Sequence, residues 1–141
     1  MDNRVIAAYQ QLGFKLVVDP SVNYSGYFDA RSRSITMKQI DDSVYHELGH
    51  FLAFIAGNAD KTASFQSIFA AEKANVTAFN KAYVTQNASE YFAESVKDYI
   101  LEHASLKSSR PQTYAAVQNA LNQITDAQIA KIQKIYGAFW N

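Results

Sequence analysis

Apolar residues recur along this chain with two different periods, and the change between them divides it. Residues Asn3 to Leu12 alternate at helical spacing and stop at Gly13, which predicts a short helix. Phe14 to Val18 is a compact β-rich run ended by Asp19-Pro20. Tyr24 to Phe28 and Ser34 to Lys38 read as two strands joined by the polar turn Asp29-Ala30-Arg31-Ser32, and Ser34-Ile35-Thr36-Met37 alternates as a half-buried strand does. From Asp41 onward the period is helical. Asp41 or Asp42 can cap a helix running to Ala56, with Gly57 as its stop. Further helices are predicted over Asp60 to Ala74, Ala88 to Leu106, Pro111 to Ile124 and Asp126 to Phe139. Asn87 and Thr125 are candidate N-caps, and Pro111 suits a first helical turn. A small sheet followed by helices is an α+β arrangement.

Composition narrows this reading. At 141 residues the chain fits one domain over 1–141, and its 48% apolar content supplies a core. Thirteen basic residues balance thirteen acidic ones and no basic block appears, so no nucleic-acid partner is expected. No apolar run approaches a membrane span, and MDNRVIAAYQ has no signal-peptide pattern. Cysteine is absent, so any metal must be held by nitrogen and oxygen.

Residues 46 to 50 read His-Glu-Leu-Gly-His. On a helix, positions i and i+4 share a face, so His46 and His50 can offer two imidazoles to one Zn²⁺. Glu47 then sits beside a metal-bound water as general base. The helix is supported independently by the apolar stripe Val44, Leu48, Phe51, Leu52 and Ile55, which leaves the histidines on the other side. The bland alternative is a helix carrying two surface histidines. Against it, an HExxH in a shuffled chain of this composition has a probability on the order of one in a few hundred.

A catalytic zinc needs a third protein ligand. The metzincin continuation fails, because Ala53 and Ala56 stand where its Gly and His belong. His103 reads as a packed or capping histidine. Three carboxylates remain: Glu72, spaced roughly as in thermolysin-like enzymes but with Val76 where their Asp would be, and the pair Glu90 and Glu94. The pair lies on one helical stripe, away from Phe92, Val96 and Tyr99. Like charges one turn apart repel mildly, and a metal site relieves that, with one Glu on zinc and the other bonded to a ligand imidazole. Spacing alone permits either as ligand. A solvated acidic face, or a capping box between Asn87 and Glu90, would produce the same pattern.

HELGH at 46–50 followed by EYFAE at 90–94 resembles the catalytic domain of the anthrax lethal factor and Pro-Pro endopeptidase family, over residues 26 to 103. The resemblance implies a compact zincin-like domain, with a small N-terminal sheet packed on the HExxH helix and a helical C-terminal half. It implies a zinc endopeptidase with one Zn²⁺ per chain, held by His46, His50 and Glu90, with Glu94 in support. Tyr83, seven residues before Glu90, is then the oxyanion stabiliser. It also implies secretion, and a peptide or protein substrate along an edge strand within Tyr24 to Lys38. The tryptophan that precedes the HExxH helix in the Pro-Pro enzymes has no counterpart here: the only tryptophan is Trp140, which reads as a packing residue. The alternatives are a non-catalytic zincin-fold binding or toxin-accessory domain, and a zinc hydrolase of a non-peptide bond. Oligomeric state and cleavage preference are left open.

Overall fold

A computed structural model describes residues 2–140. The element order is α1 (Asn3–Gln11), β1 (Lys15–Val18), β2 (Gly26–Asp29), β3 (Ser34–Met37), α2 (Ser43–Ile55), α3 (Ala63–Glu72), α4 (Lys81–Val84), α5 (Ala88–Leu101), α6 (His103–Ser109), α7 (Pro111–Asn122) and α8 (Asp126–Trp140). The architecture is α+β. The sheet has the order β1-β3-β2, with β1 parallel and β2 antiparallel to β3. The last strand in sequence is thus central, and β1 and β2 are its two edges.

Local chemistry explains most boundaries. Asp2 caps α1 by accepting from Arg4 N at 2.8 Å, and Gly13, at φ +80°, lets the chain leave it. Phe14 leaves the expected first strand and turns into an aromatic cluster with Tyr9, Phe28, Phe51 and Trp140, so β1 begins at Lys15. The second strand is shifted toward the turn and spans Gly26–Asp29, because Asp29 accepts from Arg31 N (2.9 Å) and closes the turn. Arg33 adopts φ +54° there. Its guanidinium donates to Leu12 O and Trp140 O and lies over the Trp140 ring, contacts that hold an unfavourable backbone in place. Trp140 also donates to Ala30 O at 3.0 Å, so the chain's last helix clamps the sheet turn.

Asp42 holds the N-cap position of α2 without a side-chain bond, and Asp41 before it accepts from Ser43 N at 3.0 Å. Gly57 and Asn58, at φ +78° and +59°, end the segment after α2. The helix expected over 60–74 is shorter. Thr62 caps it through Phe65 N, and single 3₁₀ turns flank it at Ala59–Lys61 and Lys73–Asn75. The helix expected over 88–106 breaks at Glu102. There the His103 ring nitrogen Nδ1 lies 2.9 Å from the Tyr99 carbonyl and its Nε2 lies 2.9 Å from the Tyr114 hydroxyl. His103 is therefore a helix-end residue, far from metal chemistry. Asn87 caps α5 through Glu90 N, and Thr125 caps α8 through Gln128 N. No helix among the described residues is long and apolar enough to cross a membrane.

The core is centred on α2 against α5. Phe51, Leu52 and Ile55 meet Tyr91, Phe92 and Val96, all nearly inaccessible to solvent. On the other side of α2, Leu48 packs on Ile35 and Met37 of β3. Helix α2 is thus buried between the sheet and α5.

Candidate metal centre

The distance between α2 and α5 is set by one residue without a side chain. A Cβ built on Gly49 would lie 2.6 Å from Ala93 O and 2.7 Å from Ala93 Cα. No side chain fits there, so the helices touch backbone to backbone. Ala93 is the small residue between Glu90 and Glu94, and Gly49 lies between Glu47 and His50. The contact therefore brings the two polar stripes face to face. A glycine inside a helix costs about 1 kcal/mol relative to alanine. That cost is the sequence signal that could have identified Gly49 as a point of close approach.

Across this contact His46 Nε2 lies 3.1 Å from Glu90 Oε2, and His50 Nε2 lies 3.0 Å from Glu90 Oε1. His46 Nδ1 lies 2.9 Å from Glu94 Oε1. One nitrogen from each of His46 and His50 and one Glu90 oxygen all fall within 4.8 Å of one another, so the three can hold a metal ion. Glu94 bonds the His46 imidazole on its far nitrogen. Of the two carboxylates that spacing left equivalent, Glu90 faces both Nε2 atoms and Glu94 faces only the back of His46.

The electrostatics follow from that arrangement. Burial alone would lower the His46 pKa, but the hydrogen-bonded carboxylates of Glu90 and Glu94, with Glu47 nearby, outweigh it and raise the pKa to about 9. With a carboxylate at each ring nitrogen, metal-free His46 is an imidazolium, and the proton on Nε2 stands where a metal would bind. For Glu90, burial opposes ionisation, yet the bonds from His46 and His50 hold its carboxyl well below the usual carboxylate range. Burial likewise opposes ionisation of Glu94, and His46 and Lys97 more than offset it. Burial pushes Glu47 up, with His46 and His50 acting in the other direction. The donor set suits a divalent cation: two imidazoles and a carboxylate converge, and the Nδ1–H of His46 given to Glu94 leaves Nε2 free to bind metal.

The cleft over these donors is lined by Gly26, Tyr27, Phe28, Glu47, His50, Tyr83 and Glu90. It continues past Tyr24, Ser25 and Ser43 to Lys97. Gly26 is the second position that the sequence analysis missed. A Cβ there would meet Glu47 Cγ and Met37 Sδ, each at 2.9 Å, so the missing side chain makes room for Glu47 under the strand. Phe28 lies nearly parallel to the His50 ring at 6.4 Å and walls its outer side. Tyr83 is carried by the short helix α4, between the helices predicted over 60–74 and 88–106. Its ring centre is 6.4 Å from that of His46, and burial, then Glu90, push its pKa up to about 12. The Tyr83 hydroxyl is thus a proton-bearing donor at neutral pH.

Glu72, the other carboxylate considered as a ligand, lies in a different place. It accepts from Gln112 N, Thr113 N and Thr113 Oγ1 at 3.1, 2.8 and 2.7 Å, and so caps the N-terminus of α7.

No curated protein matches the chain. Residues 22–120 match the family described as "Anthrax toxin lethal factor, N- and C-terminal domain". That match includes α2, α4 and α5, and with them every residue of the candidate metal centre. The chain belongs to the anthrax toxin lethal factor family.

Proposed function

We propose that the protein is a zinc-dependent endopeptidase acting from a zincin-like catalytic domain that comprises residues 1–141. The observation that carries this reading is the convergence of His46, His50 and Glu90 within 4.8 Å, with Glu47 buried at the floor of the same open cleft. Family membership alone leaves activity open, since the family's description covers two domains. The donor set supports the catalytic one.

Bound at these residues, zinc supplies a Lewis acid that polarises the scissile carbonyl and makes a water more acidic. The chain's own residues supply the rest. Glu47 accepts the proton of the attacking water and returns it to the leaving amine, and burial raises its pKa toward the range where both transfers work. Tyr83, protonated and at the cleft mouth, donates to the carbonyl oxygen as negative charge develops on it. Glu94 holds the His46 tautomer and ring orientation. A substrate strand adds to the free edge of β2, since β3 is central and has no edge to offer. Secretion, which the resemblance implies, belongs to the same reading.

The competing reading is a non-catalytic domain of the same family. It gives no reason for Glu47 to be buried beside the donors, or for Gly26 to make room for it. The test is cleavage of a peptide library by zinc-loaded protein, with and without chelator. Chelator-sensitive cleavage that Glu47→Ala abolishes supports the proposal. Stoichiometric zinc with no cleavage of any peptide supports the binding domain.

A further inference from the structure

The sheet's other edge lies away from the metal centre. Strand β1 reads Lys15-Leu16-Val17-Val18 and is followed by Asp19. Among the described residues it pairs with β3 alone, and every residue of it is exposed. Leu16, Val17 and Val18 are 48%, 42% and 50% accessible. Leu16 and Val18 pair with Ile35 and Met37, which are fully buried, so they extend the apolar face of the sheet beyond its cover. An open edge carrying three consecutive apolar residues, with no proline or inward charge among them, is a surface that proteins ordinarily protect.

The backbone fixes which pairings this edge accepts. Lys15 N donates to Arg33 O and Asp19 N to Met37 O, each at 2.8 Å. In a parallel ladder, alternate residues face the partner strand. Lys15, Val17 and Asp19 therefore point their peptide groups at β3, and Leu16 and Val18 point theirs outward. An antiparallel partner must set outward-facing residues opposite each other. If the partner is the same strand about a twofold axis centred on Val17, Leu16 of each copy falls opposite Val18 of the other. Four main-chain hydrogen bonds then close. The same register sets Lys15 of each copy opposite Asp19 of the other, so both ends of the pairing carry opposite charges. The segment is thus self-complementary in hydrogen bonding, apolar contact and charge at once.

We propose that β1 is a self-association edge, where a second copy of this chain pairs antiparallel about Val17 to give a continuous six-stranded sheet. Such an interface is isologous and closes at two copies. It is short, so association depends on concentration. It leaves β2 and the metal centre free at the outer edges, and activity per chain is unaffected by it.

The experiment is sedimentation equilibrium of the intact protein from micromolar to millimolar concentration. The weight-average mass should rise from 15.8 kDa toward twice that value. Val18→Pro removes an outward N–H while leaving the bonds to β3 intact, and should raise the dissociation constant by about tenfold or more. Lys15→Asp sets carboxylates against each other at both ends and should weaken association similarly, and adding Asp19→Lys to it should restore association. Circular dichroism and thermal melting report whether each variant keeps its fold. A protein that stays at 15.8 kDa at millimolar concentration overturns the proposal. So does a dimer that folded Val18→Pro and Lys15→Asp chains form as tightly as the parent. Failure of the charge swap to rescue overturns the register.

Discussion

Two carboxylates in this molecule, the buried Glu72 and the half-buried Glu90, have opposite kinds of neighbours. Glu72 meets three donors, two peptide N–H groups and a hydroxyl, at 2.7–3.1 Å. Its charge is balanced by the positive end of α7, and the cluster is complete as it stands. Glu90 meets two imidazole nitrogens at 3.0 and 3.1 Å, and His46 meets a second carboxylate behind. Here lone pairs converge, and only a cation, a proton or a metal, can satisfy them. Both residues were candidates for one role in the sequence. What separates them is whether peptide groups supply the partner: a carboxylate satisfied by peptide hydrogens holds a fold, and one facing two imidazoles can hold an ion.

Substitutions can break or sharpen this contrast. The largest expected effect is at Glu47, which touches neither cluster's bonding. Glu47→Ala should keep zinc and fold and lose nearly all turnover, on the order of 10³-fold or more, measured by peptide cleavage. A variant that cleaves as fast as the parent would remove Glu47 from the chemistry.

Glu90→Gln should cost zinc affinity severely, because a ligand carboxylate is lost. Glu94→Gln should cost only about 10–100-fold, the range for a residue that orients a ligand. Competition with a chelator measures both, and the opposite ranking would exchange their roles. Tyr83→Phe should lower kcat by about 10²-fold with little change in KM, since the hydroxyl acts only as charge develops. An unchanged kcat would leave Tyr83 a wall of the cleft.

Metal uptake should depend on pH with a definite sign. Zinc must displace the His46 proton, so apparent affinity should rise about tenfold per pH unit below about 9 and level off above it. In the metal-free protein the raised His46 pKa contributes stability fully present below its ordinary value of 6.5 and lost as pH rises through about 9. The depressed Glu90 and Glu94 values contribute stability present above 4.5 and lost on acidification. The metal-free protein should therefore melt highest between pH 4.5 and 6.5, and zinc should move that optimum upward. The smallest effect on function is expected at Glu72. Glu72→Gln should lower stability by about 1–3 kcal/mol and leave zinc affinity unchanged within error. A loss of zinc there would erase the contrast between the two carboxylates.

The sequence by itself determined what depends on neighbours a few residues away. The i, i+4 spacing of His46 and His50 fixed their common helix face. The caps at Asn87 and Thr125 and the stop at Gly57 are local bonds and local dihedrals, and they lie where the pattern put them. The strand boundaries moved, because Phe14 was drawn into an aromatic core that the chain alone does not display. Spacing alone did not distinguish Glu90, Glu94 and Glu72; the family resemblance favoured Glu90, and the tertiary structure brings Glu90 to both Nε2 atoms. Their roles depend on which helix lies against which, and at what distance. That distance is set by the contact of Gly49 with Ala93, residues separated by more than forty positions. Helical periodicity gives the face a side chain occupies. It does not give the partner, because the partner is chosen by packing the whole core at once.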